Sequence, residues 1–148
     1  MKRWIFLFSL MLCLFGMSMT SFAGPTKEEK QKYEDAIAAN WKEMLKGSIA
    51  LDKGNAANKT YLLNWLEAEK QPDDAKKIVA QIEKRQAEQE KKQESMEPYL
   101  KAKKTCDEKL NADGANAALE NIIRIQKNRL KDQAELTELW KKVEKLMK

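Results

Sequence analysis

Asn111-Ala112-Asp113-Gly114, followed by residues 115–148 (ANAALENIIRIQKNRLKDQAELTELWKKVEKLMK), decides the fold. Asn, Asp and Gly within four residues favour a tight chain reversal. Beyond it, Leu119, Ile122, Ile123, Gln126, Leu130, Gln133, Thr137, Trp140, Val143 and Met147 recur close to heptad spacing. Lys141, Lys142, Lys145 and Lys148 gather where the negative end of a helix would lie. The stretch therefore reads as one long helix running to the C-terminus.

Before the turn, Ala75, Ile78, Val79 and Ile82, then Met96, Tyr99, Leu100, Cys106 and Leu110, give a second helical stripe. Pro72, Asp73 and Asp74 suit its first turn, and Pro98 should kink or break it. A short reversal predicts an antiparallel hairpin. Counting outward pairs Cys106 with Leu119, Leu100 with Gln126, Gln93 with Gln133, Gln89 with Thr137, and Val79 with Met147. The expected hairpin has apolar ends and a polar middle layer.

Upstream, Thr26-Lys27-Glu28-Glu29 fits a capping box. The helix it opens carries Tyr33, Ile37, Trp41, Met44, Leu45 and Leu51 on one stripe, with Gly47 a weak point and Gly54 a stop signal. Residues 55–59 read as a loop, and Asn58 as the cap of a shorter helix containing Tyr61, Leu62, Trp65 and Leu66. The Asn58-Lys59-Thr60 sequon is read as this cap ahead of glycosylation. The expected fold is all-α: a long antiparallel helical hairpin with one or two further N-terminal helices packed on it, a three- or four-helix bundle. Residues 24–148 form its single domain.

Residues 1–23 have a different character. Lys2 and Arg3 precede an uncharged apolar run over residues 4–15, and Ser21 and Ala23 put small side chains before Gly24. That is the layout of a secretory signal peptide cut after Ala23; retention as an N-terminal anchor is the alternative. Either outcome places the helical part outside the cytoplasmic membrane, in a periplasmic or extracellular setting. Cleavage would remove all four phenylalanines and lower the net charge of +5 by two. Charges of both signs are finely mixed, the pattern of a solvated helix face, so no nucleic-acid partner is expected.

The chemistry is bounded by what the sequence lacks. It has no histidine, hence no usual general base and no commonest metal ligand. The turn matches an EF-hand loop only in part, because Lys109 stands where the first acidic ligand belongs. No cofactor, metal or enzymatic activity is expected. Cys106 is the one thiol after the signal segment; it suits a core position or a disulfide between two chains. The polar middle of the hairpin leaves Leu130, Leu136, Leu139 and Trp140 short of cover, so they are expected either to contact the two N-terminal helices or to form the interaction surface for a partner. The leading functional expectation is an exported, non-enzymatic protein that binds another protein or itself, as envelope scaffold, adhesin or holdase-type chaperone. The alternative is a small-ligand carrier with a pocket lined by Trp41, Trp65 and Trp140.

Overall fold

The computed structural model describes residues 24–148. The signal-peptide reading lies outside them. The described residues form four helices and no strand: α1 (Lys27–Glu67), α2 (Asp73–Glu94), α3 (Glu97–Glu108) and α4 (Ala112–Met147). They stack as a three-column bundle, with α2 and α3 sharing one column. The column of α2 and α3 runs antiparallel to α4, so the expected hairpin and bundle are both present.

Helix α1 starts where the capping box predicts. Glu29 N–H donates to Thr26 Oγ1 at 3.2 Å, and Thr26 N–H donates to the Glu29 carboxylate at 2.8 Å. That backbone donor, seconded by the Thr26 hydroxyl, holds the Glu29 carboxyl below its ordinary pKa. Unlike the expectation, α1 does not stop at Gly54. It runs unbroken for 41 residues, and 55–59 is helix, not loop. Gly54 costs helix stability but does not end the helix, because packing on α4 outweighs local propensity.

The packing explains why. Ile37, Met44, Leu51, Asn58 and Trp65, each seven residues after the last, are all buried on α1. The α2–α3 column repeats the pattern with Ala75, Ile82, Gln89, Met96 and Lys103. Its period survives the break at Ser95–Met96, so Pro98 interrupts the backbone without rotating the buried face. On α4, Ala115, Ile122, Leu136 and Val143 form one seam, and Leu119, Gln126, Gln133 and Trp140 the other. Strict seven-residue spacing in all three columns is the signature of left-handed coiled-coil packing.

Helix α4 is the shared wall: α1, α2 and α3 each pack closely on it. Its register differs from the simple outward count. Gln89 Nε2 donates to the Arg129 carbonyl at 3.1 Å, about two helical turns short of Thr137. Gln133 and Thr137 instead face α1, which lies parallel to α4. A single hairpin cannot satisfy both seams of α4, so its glutamine seam turns to the third column.

The reversal between α3 and α4 closes with Asn111 N–H donating to the Cys106 carbonyl at 2.9 Å. Leu110 adopts φ 51° there, a left-handed geometry more often given to glycine. Its side chain packs on the cluster of Tyr33, Leu119 and Ile122, which offsets a backbone cost of about 1–2 kcal/mol. Asn111 Oδ1 then caps α4, accepting from Gly114 N–H at 3.0 Å.

Candidate interaction surfaces

Two apolar clusters form the core. The upper one joins Tyr33, Ile37, Met44, Met96, Ala115, Leu119, Ile122 and Ile123. The lower one joins Trp65, Ala75, Val79, Ile82, Leu136, Trp140 and Val143. Tyr61 stacks on Trp140 with ring centroids 6.3 Å apart.

A polar waist separates them, and here α1 meets α4 in a ladder of side-chain bonds. Gln126 Nε2 donates to Ser48 Oγ at 2.9 Å. Gln133 Nε2 donates to the Leu51 carbonyl at 3.0 Å and to Asn55 Oδ1 at 2.8 Å. Thr137 Oγ1 donates to Asn58 Oδ1 at 3.2 Å. Both glutamines lie over glycines of α1. A Cβ on Gly47 would come within 2.5 Å of Gln126 Oε1, and one on Gly54 within 2.0 Å of Gln133 Oε1. The two glycines that read as a weak point and a stop are notches for the two glutamines. Asn58, read as a helix cap, is a buried rung of the ladder with no room for a glycan.

Arg129 completes the waist from a half-buried heptad position and donates to Gln93 Oε1. Desolvation holds its pKa below the ordinary arginine value, against the opposing effect of the Asp52 charge. Gln126 Oε1 and Arg129 Nε have no hydrogen-bond partner. Polar layers of this kind specify register at a cost in stability.

At the upper end, side chains tie α1 to α3. Lys103 is buried, with Nζ 2.7 and 3.0 Å from the two Asp107 carboxylate oxygens and 4.5 Å from the Trp41 ring centroid. The Tyr33 hydroxyl donates to Asp107 Oδ1. Burial first, then this carboxylate, pushes the Tyr33 pKa well above its ordinary value. The lysine charge is thus paired and capped by an aromatic face, a structural clasp between the two helices.

Of the two outcomes open to Leu130, Leu136, Leu139 and Trp140, cover within the bundle is the one found, and the interaction surface on α4 does not form. Leu136 and Trp140 are 3% and 1% exposed, inside the lower core, and Leu130 and Leu139 are half-buried. The uncovered apolar surface anticipated there is taken up by α1 and α2. Nor do the tryptophans converge: Trp65 and Trp140 belong to the lower cluster, while Trp41 packs against the upper one. A groove of about 220 Å³ between α1 and α4 is floored by Gly47, Ile123 and Gln126 and flanked by Leu130. An open cleft at the upper end lies between Tyr33, Leu110 and charged side chains. Neither is lined by tryptophan. Cys106 is a free, half-buried thiol beside the upper core, and its sulfur lies 2.6 Å from where a Cβ on Gly114 would stand.

Among the described residues the large exposed apolar side chains lie mostly on α1, with Leu146 near the end of α4 the exception. Leu45, Ile49, Leu63 and Leu66 of α1 are 39%, 56%, 46% and 61% exposed. Together with Ala38 and Ala56, the first three follow steps that keep them within about 40° on the helix. They form an outer stripe, on the side of α1 turned away from its buried seam. Leu45 had been grouped with the inner stripe by sequence spacing; one residue past Met44, it points outward. Among the described residues, no group of His, Cys, Asp and Glu is arranged to hold a metal ion, and no helix is long and apolar enough to cross a membrane. No protein-family model matches the chain, and comparison with curated proteins and with solved structures returns no match.

Proposed function

We propose that this is an exported, non-enzymatic helical protein that works by binding another protein, and that the outer stripe of α1 is its working face. The observation that carries the reading is the exposure of Leu45, Ile49, Leu63 and Leu66 on a helix whose buried seam is already complete. A helix that shows apolar residues on two faces is suited to two partners, one of them α4. Scaffold, adhesin and holdase roles all use such a face. The signal-like segment supports a setting outside the cytoplasmic membrane, where a bundle without internal disulfides relies on helix packing alone.

The test is site-specific photo-cross-linking in the cells that make the protein. A probe at Ile49 or Leu63 should yield discrete adducts, and a probe at exposed Ala134 on α4 should not. Adducts from Ala134 alone would place the working face elsewhere. The N-terminus of the native protein, read by mass spectrometry, should be Gly24.

A further inference from the structure

We propose that the surface fitting the outer stripe of α1 is the same stripe of a second copy, packed antiparallel about a two-fold axis at Ala56. The inference rests on the reading of α1 as the working face and names its partner. The stripe is self-complementary when reversed about that point. Four residues before Ala56 is Asp52, and three after it is Lys59. Seven residues before is Ile49, and seven after is Leu63. Leu45 follows one turn further out on the stripe, where the other end carries Glu67, with Leu66 about 80° to one side and Lys46 at the matching level on the other flank. A two-fold axis at Ala56 therefore sets Asp52 beside the partner's Lys59, Ile49 beside the partner's Leu63, and Lys46 beside the partner's Glu67. The small side chain of Ala56 lies at the crossing, where two helix backbones come closest.

Charge decides the direction. Parallel pairing in register would set Asp52 against the partner's Asp52 and Lys59 against the partner's Lys59, and like charges disfavour it. Asp52, Lys59 and Glu67 make no ion pair among the described residues, so Lys59 and Glu67 are available, while Asp52 is shared with the longer-range field of Arg129 on α4. Asp52 and Lys59 are about two turns apart on one helix and cannot pair within a chain. A two-fold contact closes on itself and yields a dimer, with no open filament. One helix face per chain belongs at the small end of specific interfaces, so the dimer should be reversible and micromolar.

Sedimentation equilibrium of the native protein from about 1 µM to 1 mM, with the charge variants alongside, tests this. The wild type should pass from monomer to dimer. K59D and D52K should each weaken dimerisation about tenfold, through two symmetry-related pairs. The double variant D52K/K59D should restore it, since reversing both charges recreates the pair only between antiparallel copies. In a C106A background, A56C should form a disulfide-linked dimer on mild oxidation, and A134C should not. Failure of the double variant to recover, or a monomer at every concentration, overturns the second-copy partner. If the stripe is still the face for a different protein, Ile49 and Leu63 probes keep cross-linking in cells; if they do not, the parent reading falls as well.

Discussion

Gly54 of α1 lies directly beneath the Gln133 amide of α4. A Cβ on this glycine would stand 2.0 Å from Oε1, 2.2 Å from Cδ and 2.7 Å from Nε2, so the whole amide group occupies the space of a missing side chain. Gln133 is 4% exposed and is held there by the Leu51 carbonyl and Asn55.

Gly54→Ala should therefore destabilise the protein, although alanine favours a helix interior by about 0.5–1 kcal/mol. Displacing Gln133 breaks two bonds and strands a buried amide, a loss of about 1–3 kcal/mol. The expected net change in urea unfolding is a loss of about 1–2 kcal/mol. In the G54A/Q133A pair, the added methyl should become neutral or stabilising, because nothing is left to displace. A stabilising single G54A variant would show that Gln133 is not fixed over the glycine.

Trp140→Ala should cost about 3–5 kcal/mol, the usual range for a large buried aromatic. The indole is 1% exposed and carries the Tyr61 stack. Half-buried Leu139 should be markedly more tolerant of the same substitution. Equal, small effects at both positions would contradict a core place for Trp140.

The turn at 111–114, the period of α4 and the α2–α3 break near Pro98 were all legible in the sequence, because each is set by local chemistry. What was not legible was which seam of α4 each neighbour takes. Gln126 and Gln133 were visible as a polar layer, but their glycine partners lie about eighty residues away, on a helix whose own propensities pointed to an interruption. The outer stripe of α1 was equally hidden. Leu45 adjoins Met44, and only the position of α4 decides which of the two faces inward.

The clasp at the upper end should respond to charge removal. Asp107→Asn leaves Lys103 buried without its counter-charge and should cost about 3 kcal/mol, in the range for breaking one side of a buried pair. The Lys103→Met partner variant should be milder, since methionine keeps most of the packing against Trp41. Thermal unfolding of both variants checks the order, and the reverse order would contradict the clasp.

Tyr33 makes the same clasp sensitive to base. Its pKa is raised in the folded protein, so its contribution is complete below the ordinary tyrosine value of about 10 and fades as pH rises beyond that. Wild-type stability should fall more steeply above pH 10 than that of Tyr33→Phe. Parallel pH profiles would show that the hydroxyl is not held by Asp107.

The central claim is that α1 uses its two faces for separate tasks, the inner seam for the bundle and the outer stripe for a partner. The double variant I49E/L63E tests it most directly, with unfolding temperature and association measured on the same samples. The account predicts an unfolding temperature close to wild type, because both side chains are about half exposed, together with loss of dimerisation and of Ile49-face cross-linking. A large drop in unfolding temperature, or association unchanged at wild-type strength, would contradict it.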